Sequence, residues 1–503
     1  MSDCIILSGG TWSPDYFSKI KRPLGPYRLS SALEDAGYST FVLEFSNEFT
    51  IEETLKLLSK HLDNNTLWLG FSSTFYWPKN NSSTGTTTTN DHLREKYYTE
   101  KYEDVRSLID FVRKNSKAKI LYGGSKSPYY CYLDDDKNID YYVIGNADNS
   151  IIDITDYLSG KKNKIEHLEN NIVDSRKYPE PKMNNISTKW WKKEYNILPN
   201  EGVPIELARG CIFKCKFCDY PLTGKKKGTY LRSTSEIKDE LIRMWEVQGI
   251  DSYYFTDDTF NDDNEKLEAL HKVFIDLPFK PKFSAYLRVD LLNKHTHQAD
   301  LLNEMGLVGT FLGLETMQPE SARAIGKGLH PNKVKDRLYW LHDKWKNKVN
   351  IEAGFILGLP YDRISYFNEL ISWALEEDNP LQAVRFYPLM LFNYNQVEKR
   401  IVEFGSEFSI NPEIYGYEFE DISSWVLPQQ KLSHRLCNEI ANNLNTLRHP
   451  LNKISGFQVI TALNTGIKFE DIYSLTETEI SKKYNMIELN QKRFNEYKKM
   501  VGI

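Results

Sequence analysis

The chain has 503 residues, 40% of them hydrophobic and 26% charged, and its 64 Lys and Arg against 69 Asp and Glu leave a net charge of -5. That length outgrows a single ordinary core, so two or three domains are expected, and a charge balance this close to neutral gives no reason to expect a nucleic acid or a membrane surface as partner. No stretch reaches the apolar length of a membrane span, the N-terminus lacks the basic and apolar regions of a signal peptide, and six cysteines are too few for a disulfide framework, so a reducing, cytoplasmic location is expected.

From Cys4 to about Gly160, short apolar runs alternate with helical patterns. Cys4 to Leu7, Thr40 to Leu43, Leu67 to Phe71, Lys119 to Tyr122 and Tyr141 to Ile144 read as strands. Tyr27 to Ala36, Ile51 to Leu62 and Val105 to Lys114 carry apolar residues at helical spacing. Together they predict a doubly wound parallel sheet over 1–160. Glycines follow the strands at Gly9-Gly10, Gly70, Gly123-Gly124 and Gly145, at the carboxyl edge where open α/β sheets bind ligands. No G-x-G-x-x-G follows the first strand, which argues against a dinucleotide. The Ser-, Thr-, Gly- and Asn-rich stretch from Asn80 to Asn90 cannot bury a core and reads as a surface insertion. Residues 161–200 are polar, dense in Lys and Asn and broken by Pro179, Pro181 and Pro199. They read as a linker whose Trp190-Trp191 packs between domains.

A second alternation spans 201–395. Ile205 to Ala208 reads as a short buried strand, and Cys211, Cys215 and Cys218 follow it directly, half of all the cysteines in one loop. At C-x3-C-x2-C spacing three thiolates can hold three irons of a cubane cluster. Electron-transfer clusters are closed by four cysteines, so a set of three leaves one iron open to a reactant. The competing reading is a structural zinc site, but zinc asks for four ligands, and the only other pair, His434 and Cys437, sits in an amphipathic helical pattern that suits a core. Ser252 to Thr256, Lys282 to Leu287, Val308 to Leu314, Ile351 to Ile356 and Ala383 to Pro388 complete six strands. Ile237 to Val247, Lys266 to Phe274, Val334 to Trp345 and Tyr366 to Leu375 are the helices between them. Lys225 to Lys227 reads as a solvated loop, without the aromatic interleaving of a nucleic-acid track. Residues 396–503 read as a mostly helical region that shapes the substrate site.

The cysteine loop after a strand, together with six β/α units over Pro204 to Leu391, resembles the radical SAM superfamily. The resemblance implies a partial (β/α)6 barrel and a 4Fe-4S cluster on Cys211, Cys215 and Cys218, with Phe217 as the aromatic residue before the last ligand. It also implies reductive cleavage of S-adenosylmethionine to a 5'-deoxyadenosyl radical, with electrons from a protein such as flavodoxin or ferredoxin. In the family's order, Asp257 or Asp258 would meet the amino group of the methionine moiety, although either could equally cap the next helix. Arg288 matches a recurrent Arg, Glu315 of Gly313-Leu314-Glu315 the residue that holds ribose hydroxyls, and Lys327 a basic position that pairs with the SAM carboxylate. Gly358 and Pro360, in Gly354-Phe-Ile-Leu-Gly358-Leu-Pro360, match a segment beside adenine, or form only a tight strand-to-helix turn.

The first domain resembles the Rossmann-like, cobalamin-binding domain that precedes many radical SAM domains. The resemblance rests on Arg22-Pro-Leu-Gly25, Ala36-Gly37-Tyr38, Ser72-Ser73, Gly123-Gly124 and Val143-Ile-Gly145-Asn-Ala-Asp148. It implies contacts from Ser72, Gly123 and Gly124 to a cobalamin. Ser8-Gly9-Gly10-Thr11-Trp12 stands where the D-x-H-x-x-G loop supplies a histidine to cobalt, so a bound cobalamin would lack that ligand. With cobalamin, the resemblance implies methyl transfer to an unactivated position. Without it, cyclisation, rearrangement or another radical modification of a small molecule or peptide follows. A nonenzymatic metal-binding module is the remaining alternative.

Overall fold

The computed structural model describes residues 1–9, 22–73, 76, 105–124, 138–220, 226, 230–327, 329–376, 378–393, 405–421, 423–446 and 453–503. The Asn80 to Asn90 insertion, Gly10 to Trp12, Lys225 and Lys227 lie outside them. The chain divides into two compact units, one holding the described residues up to Pro199 together with Glu488–Ile503, the other holding Asn200–Ile487.

In the first unit, strands β1 (Cys4–Leu7), β2 (Thr40–Leu43), β3 (Trp68–Ser72), β4 (Lys119–Gly123), β5 (Tyr141–Ile144), β6 (Leu168–Glu169) and β7 (Ile172–Asp174) form one sheet in the order β2-β1-β3-β4-β5-β7-β6. All neighbours are parallel except β6 and β7. Alternate strand residues feed two separate cores, as the period of a strand requires. Ile5, Leu7, Leu69, Phe71, Ile120 and Tyr122 pack with Leu57 and Leu58 of the helix Ile51–His61 and with Leu108 and Val112. Cys4, Ile6, Trp68, Leu121 and Val143 pack on the opposite face with Leu33, Ile151 and Ile154. Helices therefore cover both faces, as a doubly wound sheet demands.

Two segments read differently in sequence join this unit. Residues 168–174, within the stretch expected to be a linker, add two strands at the sheet's edge. Trp190 from the same stretch is fully buried, its ring 4.5 Å from that of Tyr27 and 6.0 Å from that of Tyr195. Beside them the buried Arg22 donates to the Tyr27 hydroxyl at 2.6 Å and to the carbonyls of Tyr195 and Asn196 at 3.0 and 2.8 Å. The last helix, Met486–Val501, contributes Phe494 and Tyr497 to the same core as Phe45 and Phe49, and Lys498 pairs with Glu53 at 2.7 Å.

The second unit is built on β8 (Val203–Ile205), β9 (Ser252–Phe255), β10 (Lys282–Leu287), β11 (Leu307–Glu315), β12 (Asn350–Leu357) and β13 (Ala383–Pro388), all parallel and paired strictly in chain order. This is the order of a (β/α) barrel left open between β8 and β13. Outward residues pack against helices, as where Phe255, Phe260, Phe274 and Phe283 form one ring cluster with centroids 4.9 to 5.9 Å apart. Start signals written in the sequence are used: Ser233 caps Thr234–Gln248, Asp263 caps Asn264–Ile275 by accepting from Glu265 and Lys266, and Gly249 ends the former helix at a φ of +69°.

Trp190→Ala deletes the largest ring of a closed aromatic cluster and is expected to cost the first unit about 3–5 kcal/mol. Denaturant titration followed by hydrogen exchange of the β1 and β3 amides would report the loss there, with the β10 and β11 amides unchanged.

Candidate active site

The cysteine loop follows β8 at the carboxyl end of the second sheet, where the strands of a barrel deliver functional side chains. Ala208 forms a single bridge with Leu231 rather than continuing the strand, because Gly210, at a φ of +102°, turns the chain into the loop. The loop has no regular secondary structure of its own. Its hold comes from outside: Lys216 N–H donates to the Ile325 carbonyl at 3.2 Å, and the Lys216 carbonyl accepts from Phe408 N–H at 3.2 Å. A turn from Cys215 carbonyl to Cys218 N–H, 3.0 Å, brings the last two thiols to one side. Burial pushes the Cys211 thiol up and the Cys218 thiol up to about 11. Only a strong positive partner such as iron would hold both as thiolates.

Neighbouring strand ends supply what faces these sulfurs. Thr259 Oγ1, after β9, lies 3.6 Å from Cys211 Sγ. Arg288, immediately after β10, points an Nη1 at Cys215 Sγ, 3.4 Å away. Its guanidinium is fixed by Asp290 at 3.0 and 2.8 Å and stacks on the Phe213 ring at 3.9 Å. Phe217 is half-buried in the loop. Among the described residues no three His, Cys, Asp or Glu groups converge on a point as one metal ion would need. Cys437, fully buried, packs against Gly358, and the His434 ring sits 6.0 Å from Trp425, both in a core setting rather than at the loop.

The two aspartates after β9 divide their labour. Asp257 is buried, accepts from Leu207 N–H at 3.2 Å and lies 3.8 Å from Lys266, so it ties β9 to the start of the cysteine loop. Lys266 also holds Asp262 at 3.0 Å. Burial, together with the charge of Asp257, pushes Asp258 up to about 7. It accepts no hydrogen bond from a described side chain, so of the two it is the carboxyl open to a ligand. Asp263, not either of these, caps the following helix.

Glu315 and Lys327 are brought together, at 2.9 Å, and Lys327 also donates to the Gly313 carbonyl. Glu315 adopts a φ of +66° at the end of β11, which turns its side chain back toward Lys327. Gly358 has a φ of +95°, and a Cβ there would overlap the Trp425 ring. Its carbonyl accepts from Tyr417 at 2.8 Å, and Trp425 Nε1 donates to the Leu389 carbonyl at 2.8 Å. The flat ring admitted by Gly358 is therefore the chain's own indole. Pro360 contributes its carbonyl to Ser321 Oγ at 2.7 Å.

One carboxylate missed in sequence organises this corner. Asp362 is fully buried, accepts from the N–H groups of Gly358 and Leu359 at 3.0 Å each, and from Ser321 Oγ at 3.0 Å. It joins the turn after β12 to the helix Pro319–Ala324 that leads into Lys327. A D-x-turn signal, a Gly-Leu-Pro followed two residues later by Asp, was the only trace available.

In the first unit, Ser72 and Gly123 are register partners at the carboxyl ends of β3 and β4. Ser73 N–H donates to the Gly123 carbonyl at 2.7 Å, and Gly124, at a φ of +118°, leaves the space that Ser73 Oγ fills. Asp148 forms a buried ion pair with Arg28, 2.9 Å apart, so this end of the domain is held to the helix Leu24–Asp35. These positions leave small groups and backbone at the sheet's edge, which suits a large planar cofactor. The loops beyond β1, β3 and β4 fall mostly outside the described residues.

Residues 205–374 match the Radical SAM superfamily. An uncharacterized methyltransferase of Pyrococcus horikoshii is 27% identical over 260 residues, 48% of this chain and 53% of that protein. The bacteriochlorophyllide d C-8(2)-methyltransferase of Chlorobaculum tepidum is 22% identical over 253 residues, 47% of this chain and 52% of that protein. The chain thus spans about half the length of these two relatives. In three dimensions it is similar to the radical S-adenosylmethionine methyltransferase TsrM from Kitasatospora setae, whose structure holds cobalamin and a 4Fe-4S cluster. That match has a TM-score of 0.58 at 18% identity and covers 83% of this chain and 79% of TsrM, a likeness of fold across both units. No described helix is long and apolar enough to cross a membrane.

Asp362 shares the pH dependence of this site with Asp257, which burial pushes up to about 6, and with Asp258. Burial pushes Asp362 up to about 7, against its three hydrogen bonds. With the folded value above the ordinary carboxylate range, the folded chain binds the extra proton, and stability falls as pH rises from about 4 through about 7. Asp362→Asn stays neutral and should remove the share of that slope that Asp362 contributes, leaving that of Asp257 and Asp258. Denaturant titrations at about pH 5 and about pH 8 should show the wild type losing ground to the variant by a few kcal/mol.

Proposed function

We propose, from the match of residues 205–374 to the Radical SAM superfamily, that this protein is an enzyme that reductively cleaves S-adenosylmethionine and ends in methyl transfer to an unactivated position. The observation that carries the reading is the loop of Cys211, Cys215 and Cys218 at the mouth of a parallel, open barrel, with Arg288 on Cys215 and the carboxyl of Asp258 beside it. A 4Fe-4S cluster with bound S-adenosylmethionine supplies a 5'-deoxyadenosyl radical, and cobalamin, where bound, supplies the methyl carrier. The chain's own residues do the rest. The three cysteines would hold the cluster, and Arg288 offers a hydrogen bond to the Cys215 sulfur. Asp258 can accept from the ammonium of the methionine moiety, while Lys327, poised on Glu315, can exchange that partner for a carboxylate. Ser72, Gly123 and Gly124 offer the edge on which a corrin would rest.

The methyltransferase names of the relatives, and the cobalamin in the TsrM structure, support methyl transfer over cyclisation or rearrangement. Electrons would come from a small reductant protein of the flavodoxin or ferredoxin kind, in the cytoplasm.

Anaerobically reconstituted protein given S-adenosylmethionine and a reductant should release 5'-deoxyadenosine, and Cys215→Ala should abolish the release. S-adenosylhomocysteine should accumulate beside it when methyl transfer proceeds, and protein produced with the vitamin should retain a corrinoid absorption. Protein that holds no iron and sulfide sinks the proposal. Arg288→Met removes a donor to a ligand sulfur, which stabilises the reduced cluster. Redox titration followed by electron paramagnetic resonance should show the potential fall by tens of millivolts.

A further inference from the structure

Below the cysteine loop, the inward rows of the barrel sheet do not close into a packed core. Register pairs Tyr286 with Phe311 and Phe311 with Glu352, so these three face the same side. Gly313, Gly354 and Arg385 form the next row, and at Gly313 the space of the missing side chain is taken by Glu315. The Phe311 ring leans across Gly354, where a Cβ would overlap it. Ile356 and Tyr387 form the row nearer the carboxyl edge.

The floor of this space is made by the segment Gly456–Thr461. Gly456 donates to Glu352 at 3.0 Å and accepts from Ser284 Oγ at 2.8 Å, Thr461 meets the Tyr254 hydroxyl at 2.7 Å, and Gly456 lies against the backbone of Thr310. From that floor the Phe457 ring rises to 4.6 Å from Tyr286, which stands edge-on to Phe311 at 5.6 Å.

A residue in the middle strand of a sheet is ordinarily covered on both faces. Tyr286, on a central strand, is nevertheless 38% exposed, and Tyr387 is 47% exposed. Burial still pushes the Tyr286 phenol up to about 12, with Glu352, Tyr387 and Asp258 adding to the rise. An aromatic residue that is both enclosed and open is the wall of a cavity, and those groups face the same space. The acidic member at the top, Asp258, is the one placed beside the cysteines.

We propose that this lumen is the substrate site and that it takes a planar aromatic small molecule, received by Tyr286, Phe311 and Phe457 and covered at the mouth by Tyr387. The assignment rests on the radical SAM reading for its place in the reaction, but not for the binding itself. Rings at right angles and tilted to one another offer both faces and edges to a flat π-system, which a saturated ligand of equal size cannot use. An aliphatic lining would have served a lipid without this geometry. The ion pair of Glu352 and Arg385, at 3.4 Å, gives the lumen one polar wall to orient the ring.

The test uses the full chain, reconstituted anaerobically, with 2-naphthol and its saturated counterpart decahydro-2-naphthol as probes in calorimetric titrations. The expected result is one site per chain for 2-naphthol, at least tenfold tighter than for the saturated compound. Phe457→Leu and Tyr387→Leu should each weaken it severalfold while leaving the saturated compound's affinity unchanged. Tyr387 lies at the open mouth, so its variant reports even if Phe457→Leu impairs folding. Equal affinities for the two probes, no binding, or binding indifferent to both variants overturns the proposal. Iron, sulfide and 5'-deoxyadenosine are measured on the same samples. Protein without a cluster that still selects 2-naphthol defeats the radical reading alone, and protein with an active cluster that ignores it defeats the aromatic site alone.

Discussion

Eight residues without regular secondary structure have to present three thiols in a fixed arrangement, and such a loop cannot hold itself. Its shape is imposed from the flanks: two backbone bonds to Ile325 and Phe408, a glycine turn at Gly210, and the Arg288 guanidinium clamped between Asp290 and the Phe213 ring. Each flank belongs to a different β/α unit, so the loop is correct only when the sheet is. The dependence also runs outward, because burial favours the neutral thiols and leaves thiolate formation in the loop to a positively charged partner. Metal binding and the final packing of the sheet are therefore coupled.

The carboxylates at the same edge obey a common rule. Those that accept from backbone N–H groups bind pieces of the fold together: Asp257 joins β9 to the loop, Asp362 joins the turn after β12 to the approach to Lys327, and Asp263 starts a helix. Asp258 has no such duty. Burial without a partner is expensive for a charge and leaves a group ready to titrate or to receive a cation. The separation of structural from available carboxylates identifies the ligand-facing side of the barrel.

Glycines in both units repeat one theme. Gly124 makes room for Ser73, Gly354 for Phe311 and Gly358 for Trp425. In each case the absent Cβ is replaced by a side chain of this chain. Close approach is real at all three positions, but what approaches is part of the fold. At Gly313, which gives space to the Glu315–Lys327 pair, and at Gly145, beside Arg176 and its partner Asp174, the missing side chain serves charged groups at the strand mouths.

Periodicity alone was enough to place β1 to β5 and β9 to β13 within a residue or two, while the strand expected at Ile205 to Ala208 ends at Ile205, because both faces of these strands are apolar and glycine or polar residues bound them. The cysteine spacing likewise needs no fold to be read, since ligand number and order are local. Tertiary structure alone decided the rest. Weakly apolar residues 168–174 enter the first unit because cross-strand bonds to β5 hold them, and the tail from Glu488 because the Phe49, Phe494 and Tyr497 rings meet across residues hundreds apart in sequence. Which of two adjacent aspartates is tied and which is free, that Glu315 and Lys327 pair with each other, and that Asp362 anchors the turn are distances between strand ends. A linear pattern fixes the face a side chain points to, and only the closed register of the sheet fixes what it meets there.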